Sequence, residues 1–247
     1  MPTKPRLDQL LCERGLAPTR EKAKALIMAG AVLVNDRPAT KPGSPTAADA
    51  ELRVKQGPQY VSRGADKLAG ALDAFALDPA NRDWLDIGQS TGGFTDLLLQ
   101  RGARHVTGVD VGYGQLDLRL RNDPRVTCLE RVNVRYLASD ALQGRKFDGA
   151  AIDVSFISLE LVLPAVAPHV QQGGLIIALV KPQFEAGREH IGKGGVVRDA
   201  NVIQACVDKI ISFGLKTRLR ARGQVPSPIR GPKGNQEVFI LFEKVDS

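Results

Sequence analysis

From Trp84 onward the chain repeats one pattern, a short apolar run followed by a stretch with helical spacing. The runs are Trp84-Leu-Asp-Ile87, Val106-Thr-Gly-Val-Asp110, Val126-Thr-Cys-Leu129, Gly149-Ala-Ala-Ile-Asp153 and Leu175-Ile-Ile-Ala-Leu-Val180. Short strands that alternate with helices imply a parallel sheet, doubly wound, with helices on both faces. In such a sheet ligands bind at the carboxyl ends of the strands. The polar residues at those ends, Asp86, Asp110, Asp153 and Lys181, are therefore the first candidates for chemistry.

The segment ahead of this pattern differs in kind. Leu7, Leu10 and Leu11, then Ala23, Leu26 and Ile27, recur at helical spacing, with Gly15 ending the first helix, Thr19 capping the second and Gly30 stopping it. A short strand over Ala31–Asn35 leads into the turn Asn35-Asp36-Arg37-Pro38, and a second strand follows near Leu52. Residues 1–58 hold ten Lys or Arg against six Asp or Glu, a net +4 out of +7 for the 247-residue chain. A polyanionic partner accounts for such an excess, since cations neutralise phosphates and release counterions. The pattern breaks near Gly57-Pro58, the expected joint, and Ser62 opens a helix whose apolar stripe is Leu68, Ala71, Leu72 and Phe75.

The N-terminal segment resembles the RNA-binding module named after small-subunit ribosomal protein S-four. The likeness rests on Arg6-Leu-Asp8, Thr19-Arg-Glu-Lys-Ala23 and Gly30-Ala-Val-Leu-Val-Asn35. It implies RNA contacts by Arg6, Arg20, Lys22 and Lys24.

The loop Asp86-Ile-Gly-Gln-Ser-Thr-Gly-Gly-Phe94 joins a strand to a helix, where glycines admit a ligand to the backbone and the helix start offers free N–H groups. Its glycines, at 88, 92 and 93, do not follow the dinucleotide spacing. Asp86 repels a pyrophosphate and attracts a cation, and Asp110, at the end of the next strand, suits the hydroxyls of a ribose. An acid near a sulfonium or ammonium and an acid on a ribose describe S-adenosylmethionine better than NAD. The candidate contacts are Asp86, Gly88, Ser90, Thr91, Gly92, Gly93, Phe94, Asp110, Val111 and Asn133; Tyr113, Gln115 and Asn133 can equally pack or cap.

What accepts the methyl group is narrowed by absences. Amino-group methylation uses an Asn/Asp-Pro-Pro-aromatic element after the fourth strand, where this chain has Asp153-Val-Ser-Phe156. Carbon-five pyrimidine methylation needs a nucleophilic Cys, and Cys12, Cys128 and Cys206 lack that setting. A ribose 2′-hydroxyl instead needs a base beside it, and Lys181, at a strand end, suits that part. No Cys or His has metal-ligand spacing, so no metal is expected. With no apolar stretch of spanning length and no signal-like N-terminus, a soluble cytoplasmic protein that avoids membranes is expected.

These motifs are similar to those of the TlyA family, historically labelled hemolysins, whose catalytic domain resembles FtsJ-type ribose methyltransferases. The segments carrying the likeness are Val61-Ser-Arg-Gly-Ala-Asp-Lys-Leu68, the glycine loop, Asp110-Val-Gly-Tyr-Gly-Gln115, Asp153-Val-Ser-Phe-Ile-Ser158, Val180-Lys-Pro-Gln-Phe-Glu185 and Gly231-Pro-Lys-Gly-Asn-Gln-Glu237. The resemblance implies a Rossmann-like α/β methyltransferase domain over 59–247, with a mostly parallel seven-stranded sheet, behind a small α+β RNA-binding domain over 1–58. It also implies a catalytic tetrad of Lys67, Asp153, Lys181 and Glu237, and 2′-O-methylation of ribosomal RNA, free or in ribosomal subunits, with cytidine as the family's nucleoside. Two positions depart from the family: Gln89 stands where Ala is frequent, and Ala65-Asp66 precede Lys67. A non-catalytic ribosome-assembly factor and, last, a hemolysin are the competing readings.

Two further segments carry expectations. Lys216, Arg218, Arg220 and Arg222 alternate with Leu215, Thr217, Leu219 and Ala221, which on a strand puts four cations on one face, for RNA or as guards of a sheet edge. The glycine-rich stretch from Phe184 to Asp199 reads as a mobile loop beside Lys181.

Overall fold

The computed structural model of the chain describes residues 4–55 and 59–246. Two compact units emerge, Met1–Gln59 and Tyr60–Ser247. The Gly57-Pro58 joint lies outside the described residues.

In the first unit, α1 (Leu7–Glu13) and α2 (Arg20–Met28) pack against a three-stranded antiparallel sheet of β1 (Val32–Val34), β2 (Arg37–Ala39) and β3 (Leu52–Val54), in the order β2-β1-β3. Thr19 accepts a hydrogen bond from Lys22 N and caps α2 as its residue type predicts. The expected four-residue turn is tighter. Only Asn35 and Asp36 form it, both at positive φ, and Arg37-Pro38 already belong to β2. Two consecutive left-handed residues are what a two-residue hairpin demands. Leu7, Leu11, Ala23, Ile27 and Val32 are fully buried and form the core.

The second unit opens with α3 (Gly64–Ala74), which starts two residues after the expected Ser62. There follow β4 (Asp83–Ile87), α4 (Gly93–Gln100), β5 (His105–Val109), α5 (Leu118–Arg121), β6 (Val126–Leu129), β7 (Phe147–Ile152), α6 (Leu159–Val166), β8 (Val170–Val180), α7 (Pro182–Glu185), α8 (Ala200–Lys216), β9 (Leu219–Pro226) and β10 (Val238–Lys244). The seven strands order as β6-β5-β4-β7-β8-β10-β9. The first five run parallel, and β10 is antiparallel to both β8 and β9. This is the expected Rossmann-like, mostly parallel α/β architecture.

Side chains alternate across the sheet, so each strand feeds two cores. Leu85 and Ile87 face the layer of α6 and α8, whereas Trp84 faces that of α3 and α4. Asp86 shares the Trp84 face, which aims its carboxylate at α4. Among the described residues no helix is long and apolar enough to cross a membrane.

The expected four-cation strand face does not form. Lys216 ends α8, Arg218 takes a left-handed conformation before β9 begins, and Arg220 and Arg222 both pair with Glu243 of β10, at 2.9 and 3.1 Å. β9 is an edge strand, and its charges fit the guarding of that edge. The stretch from Phe184 to Asp199 is also more anchored than expected. Asn235 accepts from Val197 N at 2.9 Å and donates to Gly195 O at 2.9 Å.

Candidate active site

Asp86 sits one residue before the end of β4, with no exposed surface. Its Oδ2 accepts the Thr95 hydroxyl at 2.7 Å, and Thr95 in turn accepts Gln89 Nε2 at 3.0 Å; Asp86 Oδ1 has no hydrogen-bond partner. Burial pushes the carboxyl up to about 7, against the Thr95 hydrogen bonds, and the charges of Asp153 and Asp110 add to the rise. Gln89, the departure from the family loop, lies flat over β5. A Cβ on Gly108 would fall 1.9 Å from Gln89 Cδ, so only glycine leaves room for it. Asp86 therefore lies a layer beneath the surface the sequence assigned to it and lines neither of the cavities described next.

Two cavities open at the carboxyl ends of the strands. The smaller, about 390 Å³, lies between the starts of α3 and α4 and is lined by Ser62, Arg63, Lys67, Gln89, Thr91, Gly93, Phe94 and Arg230, among others. The larger, about 730 Å³, is lined by Asp110, Val111, Gln115, Asn133, Arg135, Tyr136 and the segment Asp153–Ser158. Gly88, Ser90 and Asp153 line both, which joins the two spaces. Gly88 has φ +86°, and a Cβ there would come 2.3 Å from Asp153 O, so the close approach of the β4 and β7 ends requires glycine. Gly92 turns toward Leu116 and Leu120 instead of either cavity.

Asp110 follows β5 directly. Ser90 N donates to its Oδ2 at 2.8 Å and Gly112 N to its Oδ1 at 2.6 Å, which fixes the carboxylate at the rim with lone pairs to spare. Gln115 accepts the Ser90 hydroxyl at 3.3 Å. Asn133 accepts Arg135 N at 3.0 Å, so its side chain caps a short turn as well as lining the cavity. Tyr113 is exposed outside both cavities, with the Arg131 guanidinium 4.2 Å above its ring.

The four residues of the expected tetrad form two ion pairs. Lys181 Nζ lies 2.6 Å from Asp153 Oδ1, and Lys67 Nζ lies 2.6 Å from Glu237 Oε2. Both lysines are buried, and Glu237 is wholly so. The local sequence explains the placement. Asp153 leaves β7 and is held by a hydrogen bond from its N–H to Ile87 O at 2.9 Å. Lys181 leaves β8 immediately before Pro182, which starts α7 with a ring already set for helix. Lys67 and Asp153 line the same cavity, so the pairs meet there. Asp66, the suspected intruder, is exposed, whereas Lys67 beside it is buried.

Several residues at the site were not singled out from the sequence. Ser155 Oγ stands 3.0 Å from Lys181 Nζ. Phe156 is 90% exposed at φ +65°, a conformation rare for an aromatic residue, with its ring 5.0 Å from that of Phe184. Arg63 and Arg230 add two guanidiniums to the smaller cavity. The Val-Ser-Phe string after a strand end was the available signal for the first two; none marked the arginines as neighbours.

In the first unit, buried Asp8 gathers two of the four expected RNA contacts. Arg6 grips it at 3.0 Å through two nitrogens, and Arg20 Nη2 lies 3.5 Å from the same carboxylate. The Arg6 hydrogen bonds, with the charges of both arginines, hold Asp8 below the usual carboxylate range despite burial. Lys22 and Lys24 stand exposed on α2.

The description of FtsJ-like methyltransferases matches residues 60–244, and that of the S4 domain matches residues 5–51. The chain belongs to the FtsJ-like methyltransferase family. Its resemblance to TlyA also holds. The chain is 46% identical, over 97% of its own length and 90% of the relative's, to the 16S/23S rRNA (cytidine-2′-O)-methyltransferase TlyA of Mycobacterium tuberculosis. It is 37% identical to a protein named Hemolysin A from Brachyspira hyodysenteriae, over 96% of its own length and 99% of that protein's. A solved Streptococcus thermophilus structure with a hemolysin label shares 44% identity and a TM-score of 0.75, covering 99% of this chain and 90% of that one. The FtsJ-like region contains both cavities and both ion pairs.

Proposed function

We propose that the protein transfers a methyl group from S-adenosylmethionine to a ribose 2′-hydroxyl of ribosomal RNA, with cytidine, the nucleoside named for the TlyA relative, as the target. The observation that carries this reading is the Lys181–Asp153 pair beside a joined pair of cavities at the strand ends. The cavities fit the methyl donor. Asp110 and Asn133 suit its ribose and base in the larger space, and Arg63, with the start of α4, suits its carboxylate in the smaller. Bound there, the donor supplies an electrophilic methyl carbon.

The remaining chemistry is a matter of proton and charge. Lys181 Nζ acts as the neutral amine: it takes the proton of the acceptor hydroxyl as the oxygen attacks the methyl carbon, and becomes the ammonium that pairs with Asp153, with Ser155 fixing where it points. Lys67, braced by Glu237, adds positive charge on the cavity wall without being free to swing out. The exposed ring of Phe156 gives the target base an apolar face to stack on. Arg6 and Arg20, held side by side by Asp8, and Lys22 and Lys24 neutralise RNA phosphates. The protein's place of work is the cytoplasm, and its partner is ribosomal RNA or a ribosomal subunit.

The test is transfer of labelled methyl to ribosomal RNA by purified protein, followed by mapping of 2′-O-methyl sites. Lys181→Ala should slow transfer by about a hundred-fold or more while cofactor affinity stays within about two-fold. Full-rate transfer by that variant would remove Lys181 from the mechanism.

A further inference from the structure

We propose that Glu185 is a positioning residue, tying the segment that carries Lys181 to the segment that carries Asp153 and so setting the geometry of the catalytic ion pair; this rests on the function proposed above.

Two short segments leave neighbouring parallel strands, residues 153–158 after β7 and residues 181–185 after β8. They touch at three points. Nearest the strands, Lys181 Nζ meets Asp153 Oδ1 at 2.6 Å and Ser155 Oγ at 3.0 Å. Next, the rings of Phe156 and Phe184 meet at 5.0 Å. At the far end, Glu185 Oε2 accepts the Ser158 hydroxyl at 2.7 Å and Oε1 accepts Leu159 N, the first residue of α6, at 2.7 Å.

The far contact is the one that specifies the others. The Glu185 side chain is 2% exposed, and a carboxylate out of water persists only where it is fully partnered. Its partners are the two hydrogen bonds and Lys209 Nζ at 3.2 Å, which also reaches Glu160 at 3.1 Å. Burial works against the charge of Lys209, but Glu160 and Glu185 outweigh it and raise its pKa, so the ammonium stays charged. Ser158 already caps α6 by accepting Glu160 N at 3.2 Å. Glu185 therefore grips a helix start rather than a loose strand of loop, and the α6 dipole favours the negative charge there. Residues 153–158 are thus pinned at both ends, at Ser158 and at the β7 end, around the turn that sets Phe156 at φ +65°, and Asp153 and Ser155 are held under Lys181.

Glu185→Ala removes the tie, and Glu185→Gln keeps its length and one acceptor for Leu159 N, while its amide nitrogen can donate to Ser158 Oγ in place of accepting from it. With full-length protein, labelled S-adenosylmethionine and ribosomal RNA, Glu185→Ala should lower kcat by about 10- to 100-fold, the scale of an ångström-level misplacement. KM for both substrates should change by less than about two-fold, and Glu185→Gln should recover kcat to within about three-fold of wild type. If Glu185→Ala does not fold, Ser158→Ala loosens the same contact and should lower kcat alone. A second readout needs no RNA. In protein with ¹³C-labelled lysine, the Lys181 Cε resonance, assigned with Lys181→Arg, should shift in Glu185→Ala and return in Glu185→Gln. A folded Glu185→Ala with normal kcat and an unmoved Lys181 resonance overturns the proposal, as does a loss in Glu185→Gln equal to that in Glu185→Ala. Wild-type protein that methylates no RNA while the Lys181 resonance responds as expected would sink the proposed function and leave the tie standing.

Discussion

Replacing Asp86 with Asn should change how the stability of the larger unit depends on pH. The carboxyl is fully buried, with one oxygen unpartnered, and its pKa stands at about 7 against 3.8 for an ordinary Asp. Because the folded value is raised, the folded protein keeps a proton that the unfolded chain gives up. Stability from this group is therefore complete below about pH 4 and lost as pH rises through about 7. The difference corresponds to about 4 kcal/mol, of which about 2.5 kcal/mol is lost between about pH 5 and about pH 8. Asn has nearly the shape of the protonated acid, can still accept the Thr95 hydroxyl, and cannot ionise. Asp86→Asn should thus exceed wild type by about 1.5 kcal/mol near pH 5 and by about 4 kcal/mol near pH 8, so that its advantage grows by about 2.5 kcal/mol between the two. Trp84, the chain's one tryptophan, lies two residues upstream on β4 and is 1% exposed, so its fluorescence in a urea titration follows this unit. A variant-minus-wild-type difference of the same size at both pH values would refute the account of Asp86.

Three further outcomes are expected. Gly108→Ala pushes a methyl into Gln89 and should destabilise the unit by about 1–3 kcal/mol, whereas adding Gln89→Ala should return at least about 1 kcal/mol in a denaturant-melt cycle; additive losses would show that the two do not collide. Lys67→Met strands the wholly buried Glu237 carboxylate and should cost about 3–5 kcal/mol, much of it recovered in Lys67→Met/Glu237→Gln, as thermal melts would show. Arg6→Ala and Arg20→Ala should each lower the slope of log affinity against log salt for ribosomal RNA by about one, and unchanged slopes in a filter-binding series would take both off the RNA.

The parts of the site that could be read from sequence are those fixed by a strand's end. Asp110, Asp153 and Lys181 follow β5, β7 and β8 directly, because an apolar run in a parallel sheet stops where its backbone leaves cover. The depth of Asp86 was not legible in the same way. It depends on Gln89 folding over Gly108 of the neighbouring strand and on Thr95 reaching down from α4, both contacts between segments that local pattern does not connect. The supposed basic face at Lys216–Arg222 fails for a similar reason. Alternation predicted a strand, but the apolar stripe of α8 carries the helix through Lys216, and the charges of Arg220 and Arg222 are met by Glu243, which lies in a different strand. Glu185 was quoted in its motif yet given no part, since the helix start it grips lies 26 residues upstream.

The pair between Lys67 and Glu237 spans 170 positions of sequence, and Glu237 immediately precedes β10, the strand inserted between β8 and β9. This separation imposes an order of events on synthesis. A growing chain can lay down β4 through β8 in parallel and form the larger cavity, yet the smaller one waits for Arg230 and Lys67 waits for Glu237 until β10 pairs beside β8. Long loops of this kind close late. The wall that holds Lys67 is thus finished only once β10 is in place, and a chain folded as far as β8 has the Lys181–Asp153 pair without its braced neighbour.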